Sequence, residues 1–205
     1  MRNPAVFVLS LILLAISSCG TGSDPYSDEL QSERSQRDAF FKYGDDSPLP
    51  EEKRDDFTGL NYFNPDINFK VKAEVDKSSV PEDMEITISE GQTATFEGMA
   101  TLHFELRGEH YSLKAYQPPA FLATLREGSI LFVPFYDDTN EKSTYPQGRY
   151  IDIPDRNEQE IELDFNKAYQ PFCRFDDRFV CPEPPEENRL SLPVEAGEKM
   201  NEKTN

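Results

Sequence analysis

Ile67-Asn68-Phe69-Lys70-Val71-Lys72-Ala73-Glu74-Val75 alternates apolar with polar side chains along its whole length. Successive side chains of a strand point to opposite faces, so this run predicts a β-strand with one buried and one wet face. The same period returns at Ile86 and Ile88, at Ala94 and Phe96, at Leu102, Phe104 and Leu106, and at Tyr111, Leu113 and Ala115. Gly91, Gly98 and Gly108 punctuate these runs as turns or bulges. Ile130 to Phe135 is apolar throughout except for Pro134, which predicts a strand buried on both faces that ends or bulges at the proline. Alternation resumes at Ile161, Leu163 and Phe165 and again at Leu190, Leu192 and Val194. About eight strands at short spacing, with no helical pattern between them, predict a mainly β fold. The expected architecture is an antiparallel sandwich or barrel-like domain; alternation gives strands but not their pairing, and both forms suit it.

Ahead of the strands the period is helical. Asp24 followed by Pro25 suits an N-cap and a first-turn proline, and Asp28 and Glu29 suit the positive end of the helix dipole. Leu30, Phe40 and Phe41 mark a narrow apolar stripe, and Gly44 offers a left-handed stop. One amphipathic helix is therefore expected over 25–43, covering one side or end of the β fold. Residues 25–199 form a single β-rich domain on this reading, with 19–24 a polar tether and 200–205 a disordered tail.

The extreme N-terminus carries an address. Arg2 precedes an almost unbroken apolar stretch from Ala5 to Ile16, too short to span a bilayer but laid out as a secretory signal. Ile16-Ser17-Ser18-Cys19 resembles the bacterial lipobox, in which the cysteine is lipidated and becomes the new N-terminus. The alternative is an ordinary signal peptide with a chance cysteine. On the lipobox reading residues 1–18 are removed and Cys19 carries acyl chains, so the lipid bilayer is a partner through the anchor alone. The chain is then exported and held in the cell envelope, on the periplasmic side of the outer membrane if the host is Gram-negative; Gly20 after the anchor is compatible with that.

The balance of 21 basic against 39 acidic side chains gives a formal charge of −18. Nucleic acid is not an expected partner, because its recognition needs a basic face and no Lys/Arg cluster supplies one. Trp is absent, but 15 Phe and 9 Tyr can fill a core. Besides Cys19 the chain holds Cys173 and Cys181, and in an oxidising compartment their pairing is the expectation. A redox pair would want Cys-x-x-Cys, and zinc would need further ligands from a chain whose only histidines, His103 and His110, are not in ligand spacing. No metal and no cofactor is expected.

The polar chemistry lies in three later segments, Phe132 to Thr139, Thr144 to Asp152 and Leu163 to Tyr169. There Asp137, Asp138, Thr139, Tyr145, Arg149, Tyr150, Asp152, Asp164 and Asn166 are interleaved with core-type aromatics. Polar groups in such surroundings are tolerated when hydrogen-bonded to each other or to a ligand. Arg149 is the only arginine of these segments, and its fork geometry can bridge carboxylates. Three functions remain open: a noncatalytic module that binds a small polar ligand or an envelope protein through this cluster, a hydrolase using two carboxylates such as Asp137 and Asp164 on a polar or saccharide substrate, and a structural protein whose cluster is a satisfied network. Calcium ligation by Asp137, Thr139 and Glu141 departs from the known loop spacing. No nucleophile elbow, phosphate loop or dinucleotide fingerprint is present.

These segments, with Tyr169-Gln170-Pro171-Phe172-Cys173 and Cys181-Pro182-Glu183-Pro184-Pro185-Glu186-Glu187-Asn188-Arg189-Leu190, resemble a bacterial family known as domain of unknown function 1684 (DUF1684). The likeness also takes in Arg37-Asp38-Ala39-Phe40-Phe41, Ser47-Pro48-Leu49, Phe57 to Phe63 and Ala196-Gly197-Glu198-Lys199. It implies one domain over nearly the whole region after Cys19, and it brings no activity, substrate or catalytic residue with it.

Overall fold

The computed structural model describes residues 24–89, 92–120 and 129–200. The signal segment, Cys19, most of the tether, Gly91 and the tail 201–205 lie outside them. Helix α1 runs Pro25–Tyr43, the bounds expected from its capping residues; the Asp24 carboxylate accepts from the Tyr26 N–H and proline sits in the first turn. Two details differ. Gly44 ends the helix in extended backbone (φ −69°), donating its N–H to the Phe40 carbonyl, with no left-handed cap. The buried face is Leu30, Arg34 and Phe41, so an arginine occupies the middle of the stripe where Phe40 was expected to contribute. A single short turn, α2 (Glu51–Arg54), follows.

The strands are β1 (Asn61–Tyr62), β2 (Lys70–Asp76), β3 (Met84–Ser89), β4 (Gln92–Leu106), β5 (Glu109–Gln117), β6 (Ile130–Asp137), β7 (Arg149–Pro154), β8 (Glu160–Asp164), β9 (Arg189–Leu190) and β10 (Glu198–Lys199). Eight of them form one sheet, ordered β7-β6-β5-β4-β2-β8, with β3 beside the first half of β4 and β9 beside the end of β6. Its pairings are antiparallel except β6 with β9. The sheet curls into a nearly closed barrel whose edge strands β7 and β8 flank a seam cleft. Of the two forms the alternation allowed, this is the barrel-like one. β1 and β10 make a separate two-stranded ribbon, Tyr62 opposite Glu198.

Inward-facing side chains fill the barrel. Ala73 on β2, Leu102, Phe104 and Leu106 on β4, Leu113 and Ala115 on β5, Leu131, Val133 and Phe135 on β6, Ile151 on β7 and Leu163 on β8 are nearly inaccessible. On the outer face Phe96, Tyr116, Ile130, Phe132 and Tyr150 form a second cluster. Phe96 reaches that outer cluster because β4 carries a bulge. Gly98 pairs with Tyr116 and Ala100 with Ala115, leaving Met99 extra, so the alternation changes face there. Gly98 is required at this bend: a Cβ would stand 2.0 Å from the Pro81 carbonyl oxygen.

Three expectations are corrected. Ile67–Phe69 is a 3₁₀ turn, with Ile67 exposed and Phe69 buried, and the strand proper starts at Lys70. β6 does not stop at Pro134 but continues to Asp137. An extended residue presents its N and its C=O on the same side of the strand. The Pro134 carbonyl accepts from Asn188 Nδ2 (2.6 Å), so the missing N–H faces Asn188 and not β7. Asn188, fully buried, also accepts from Lys114 N (2.7 Å) and donates to Lys114 O (2.9 Å), so its amide stands in for a strand where β5 and β6 part. Finally, Leu190 alone of Leu190, Leu192 and Val194 lies in a strand; Val194 is buried from a loop that plugs one barrel end.

Candidate functional site

The nine polar positions marked by the sequence separate into different networks. Arg149 and Asp137 point into the end of the barrel, both wholly buried side chains at 2.7 Å. The same guanidinium donates to the carbonyls of Val194 (2.8 Å), Ala196 and Glu198, and lies over the Phe135 ring. Asp137 accepts from the N–H groups of Thr139 (2.7 Å) and Val194 (3.2 Å). Thr139 shares a hydroxyl bond with Thr144 (2.8 Å). Burial pushes the Arg149 pKa down, and the facing Asp137 opposes that. This network fastens the C-terminal loop into the barrel end and is closed to solvent.

Asp164 and Asn166 form a second network with α1 and the turn before β2. Tyr26 Oη donates to both Asp164 oxygens (3.0 and 2.9 Å), Asn166 N and Nδ2 donate to Asp164 Oδ1, and Asn166 clasps the Asp66 backbone in both directions. Burial first, then the Asp164 bond, raises the Tyr26 pKa. Asp152 accepts from Tyr169 Oη (3.0 Å), and Tyr150 donates to the Pro182 carbonyl (2.5 Å) from the outer aromatic cluster. Asp138 is exposed, and Tyr145 Oη donates to Gln147 nearby. Asp137 and Asp164 thus lie in different networks, each with its own partners, so this pair does not serve the hydrolase reading. The calcium reading fares the same, because the Asp137 carboxylate is committed to Arg149 and two amides. Cys173 and Cys181 lie Cα to Cα at 6.0 Å, inside the range a disulfide needs.

In the barrel-end network Arg149 Nε alone has no partner, and the other unpartnered buried side-chain atoms among the described residues lie under α1. Leu30, Arg34, Arg37 and Phe41 recur at four, three and four positions, which places them on one helix face. That face lies against the β1–β10 ribbon, where Tyr62 and Glu198 are opposite one another. A cavity of about 220 Å³ remains between helix, ribbon and β7, walled by Arg34, Arg37, Tyr62, Asp152, Tyr169 and Glu198 among others.

Arg34 is 8% exposed, donates Nη1 to the Phe63 carbonyl (3.1 Å), and stacks over the Tyr62 ring at 4.4 Å. Among the described residues no carboxylate stands within ion-pair distance of it, and its Nε and Nη2 have no partner. Arg37 pairs through Nε with Glu198 and lies over the Tyr169 ring at 4.8 Å, while its Nη2 is unpartnered. Tyr62 Oη is unpartnered too. Burial, with Glu198 and Asp38 nearby, raises the Tyr62 pKa, so the phenol stays protonated and able to donate at neutral pH. The acids around the cavity are occupied: Glu198 by Arg37 and by the Gln170 N–H (2.9 Å), Glu33 by Lys167 (2.7 Å), Asp152 by Tyr169. The spare capacity is therefore donor capacity.

Sequence reasoning assigned α1 only a covering role and weighed Arg149 above other arginines. The overlooked signal was the spacing of Arg34 and Arg37 between Leu30 and Phe41, which puts two cations on a buried stripe. Other openings exist, among them one of about 570 Å³ lined by residues including Pro81, Thr101, Tyr116 and Glu187. The seam cleft between β7 and β8, about 330 Å³, is lined by acids and bases including Lys70, Asp152, Arg156 and Asp164. A smaller aromatic pocket, about 120 Å³, lies under the Phe172–Pro182 loop.

The family description "protein of unknown function (DUF1684)" matches residues 55–199. The chain belongs to the DUF1684 family. Among solved structures it is similar to the solution NMR structure of an uncharacterized protein from Haloarcula marismortui, at 43% identity and a TM-score of 0.66, covering 85% of this chain and 94% of that one. That relative is haloarchaeal, so the likeness extends beyond the bacteria to which the sequence resemblance pointed. No curated protein matches the chain. The DUF1684 match takes in the ribbon residues Tyr62 and Glu198 but starts beyond α1, which supplies Arg34 and Arg37.

Proposed function

We propose that this chain is an exported, lipid-anchored, noncatalytic binding module of the cell envelope, with its ligand site in the cavity between α1 and the β1–β10 ribbon. The observation that carries the binding role is the convergence there of four unpartnered nitrogen and oxygen atoms, from Arg34, Arg37 and Tyr62. Buried polar groups are ordinarily satisfied, and a set of orphans lining one cavity is the signature of a site that a ligand completes. Anchoring is supported by Ile16-Ser17-Ser18-Cys19 and the apolar stretch before it. Asp24 opens α1, so a tether of a few residues would set the site close to the lipid surface.

Native mass spectrometry of the full chain, expressed in a bacterial host and taken from the membrane fraction in detergent, tests both halves. The expected species starts at Cys19, carries acyl chains and retains a small-molecule adduct. A protein recovered unlipidated from the soluble fraction refutes the anchor; a bare protein mass refutes the binding role.

A further inference from the structure

We propose that the cavity under α1 binds a small monocarboxylate, held in a two-point fork by Arg34 Nε and Nη2 with Tyr62 Oη and Arg37 Nη2 as further donors. The inference rests on reading the chain as a binding module and adds the chemical class of its ligand.

Three properties of the site select that class. The first is geometry. Nη1 of Arg34 is spent on the Phe63 carbonyl, and the atoms left over are Nε and Nη2. Those two N–H bonds lie parallel on one edge of the planar guanidinium, the arrangement that a carboxylate meets with both oxygens. The second is charge. Arg34, Arg37 and Lys167 face Glu33, Asp152 and Glu198 around the cavity. Arg37 and Lys167 each have a carboxylate at hand, whereas Arg34 has none among the described residues. A buried charge is paired in folded proteins, and burial is here the leading influence lowering the Arg34 pKa. A monocarboxylate gives Arg34 the partner it lacks; a phosphate dianion would bring a second negative charge into a lining whose three cations already face three acids. The third is size. A volume of 220 Å³ equals about seven waters of liquid, room for an acid between propionate and benzoate, with Leu30 and the rings of Tyr62 and Tyr169 to cover its carbon body.

The test is thermal unfolding and calorimetric titration of the purified full chain with sodium benzoate and sodium propionate, against sodium chloride and sodium phosphate at matched ionic strength. A saturable stabilisation by a carboxylate and not by chloride or phosphate is expected. Arg34→Met should abolish it, and Tyr62→Phe, which keeps the ring under the guanidinium, should weaken binding about tenfold. The Tyr62→Phe result stands independently if Arg34→Met fails to fold. Equal responses to all four salts, or carboxylate binding that survives both substitutions, overturns the proposal. If carboxylates fail while native mass spectrometry still shows an adduct that Tyr62→Phe releases, the class is wrong and the binding role stands; if no adduct is seen either, both fall.

Discussion

Replacing Arg149 by methionine should cost a large share of the stability of this domain, and the reason is Asp137 more than the lost contacts. Both side chains are fully buried and 2.7 Å apart. Removing one partner of such a pair leaves an uncompensated buried charge, a loss of about 3–5 kcal/mol. The guanidinium also satisfies the buried carbonyls of Val194 and Ala196, and each orphaned carbonyl adds about 1–3 kcal/mol. Methionine returns part of this by filling the same space, so a net loss of about 4–6 kcal/mol is expected, against a total of about 5–15 kcal/mol for an ordinary domain. Urea unfolding followed by far-ultraviolet circular dichroism would show a lower midpoint with an unchanged slope. The double variant Asp137→Leu with Arg149→Met removes both charges and should recover at least half of the loss, because no lone carboxylate remains. A single variant that loses under about 1 kcal/mol, or a double variant no better than the single one, would refute the reasoning.

Asn188→Ala should lose about 2–3 kcal/mol, since it orphans Lys114 N and the carbonyls of Lys114 and Pro134 in the gap between β5 and β6; a shift in urea midpoint worth less than about 0.5 kcal/mol would contradict the strand-substitute role. Alkaline pH should weaken the fold through its buried phenols. Burial, with Glu187 nearby, pushes Tyr116 up to about 12, and burial lifts Tyr150 well above 10. An unfolded tyrosine ionises near pH 10, so above that pH the unfolded chain releases protons that the folded chain keeps. Stability therefore falls as pH climbs from about 10 toward the folded pKa, by up to about 1.4 kcal/mol per pH unit for each tyrosine. Melting temperatures for Tyr150→Phe between pH 9 and 12 should decline less steeply than wild type, and superimposable declines would exclude this cause.

The amino-acid sequence on its own determined most of the elements of this protein. The limits of α1 follow from Asp24, Pro25 and local spacing, and β2 to β6 and β8 follow from alternation or an apolar run, because capping and periodicity are written in neighbouring residues; β1, β7 and β10 lie outside those runs, and the runs at Ala94 and Leu102 are one strand, β4. Faces were legible only as far as alternation runs unbroken: the bulge at Met99 carries Phe96 to the outside of the barrel, although it stands an even number of residues from Leu102. Pro134 misled for a related reason. Its missing N–H is harmless only where the neighbouring strand is absent, and that absence, with Asn188 filling it, is a property of the assembled sheet. The site was the least legible part. Arg149 stands among aromatics because it plugs a barrel end, whereas Arg34 looked like an ordinary helix arginine. Only the packing of α1 on a ribbon joining Tyr62 to Glu198 buries Arg34 beyond ion-pair distance of the described carboxylates. Whether a charge is paired depends on distances between segments far apart in the chain, and those distances exist only once the tertiary structure has formed.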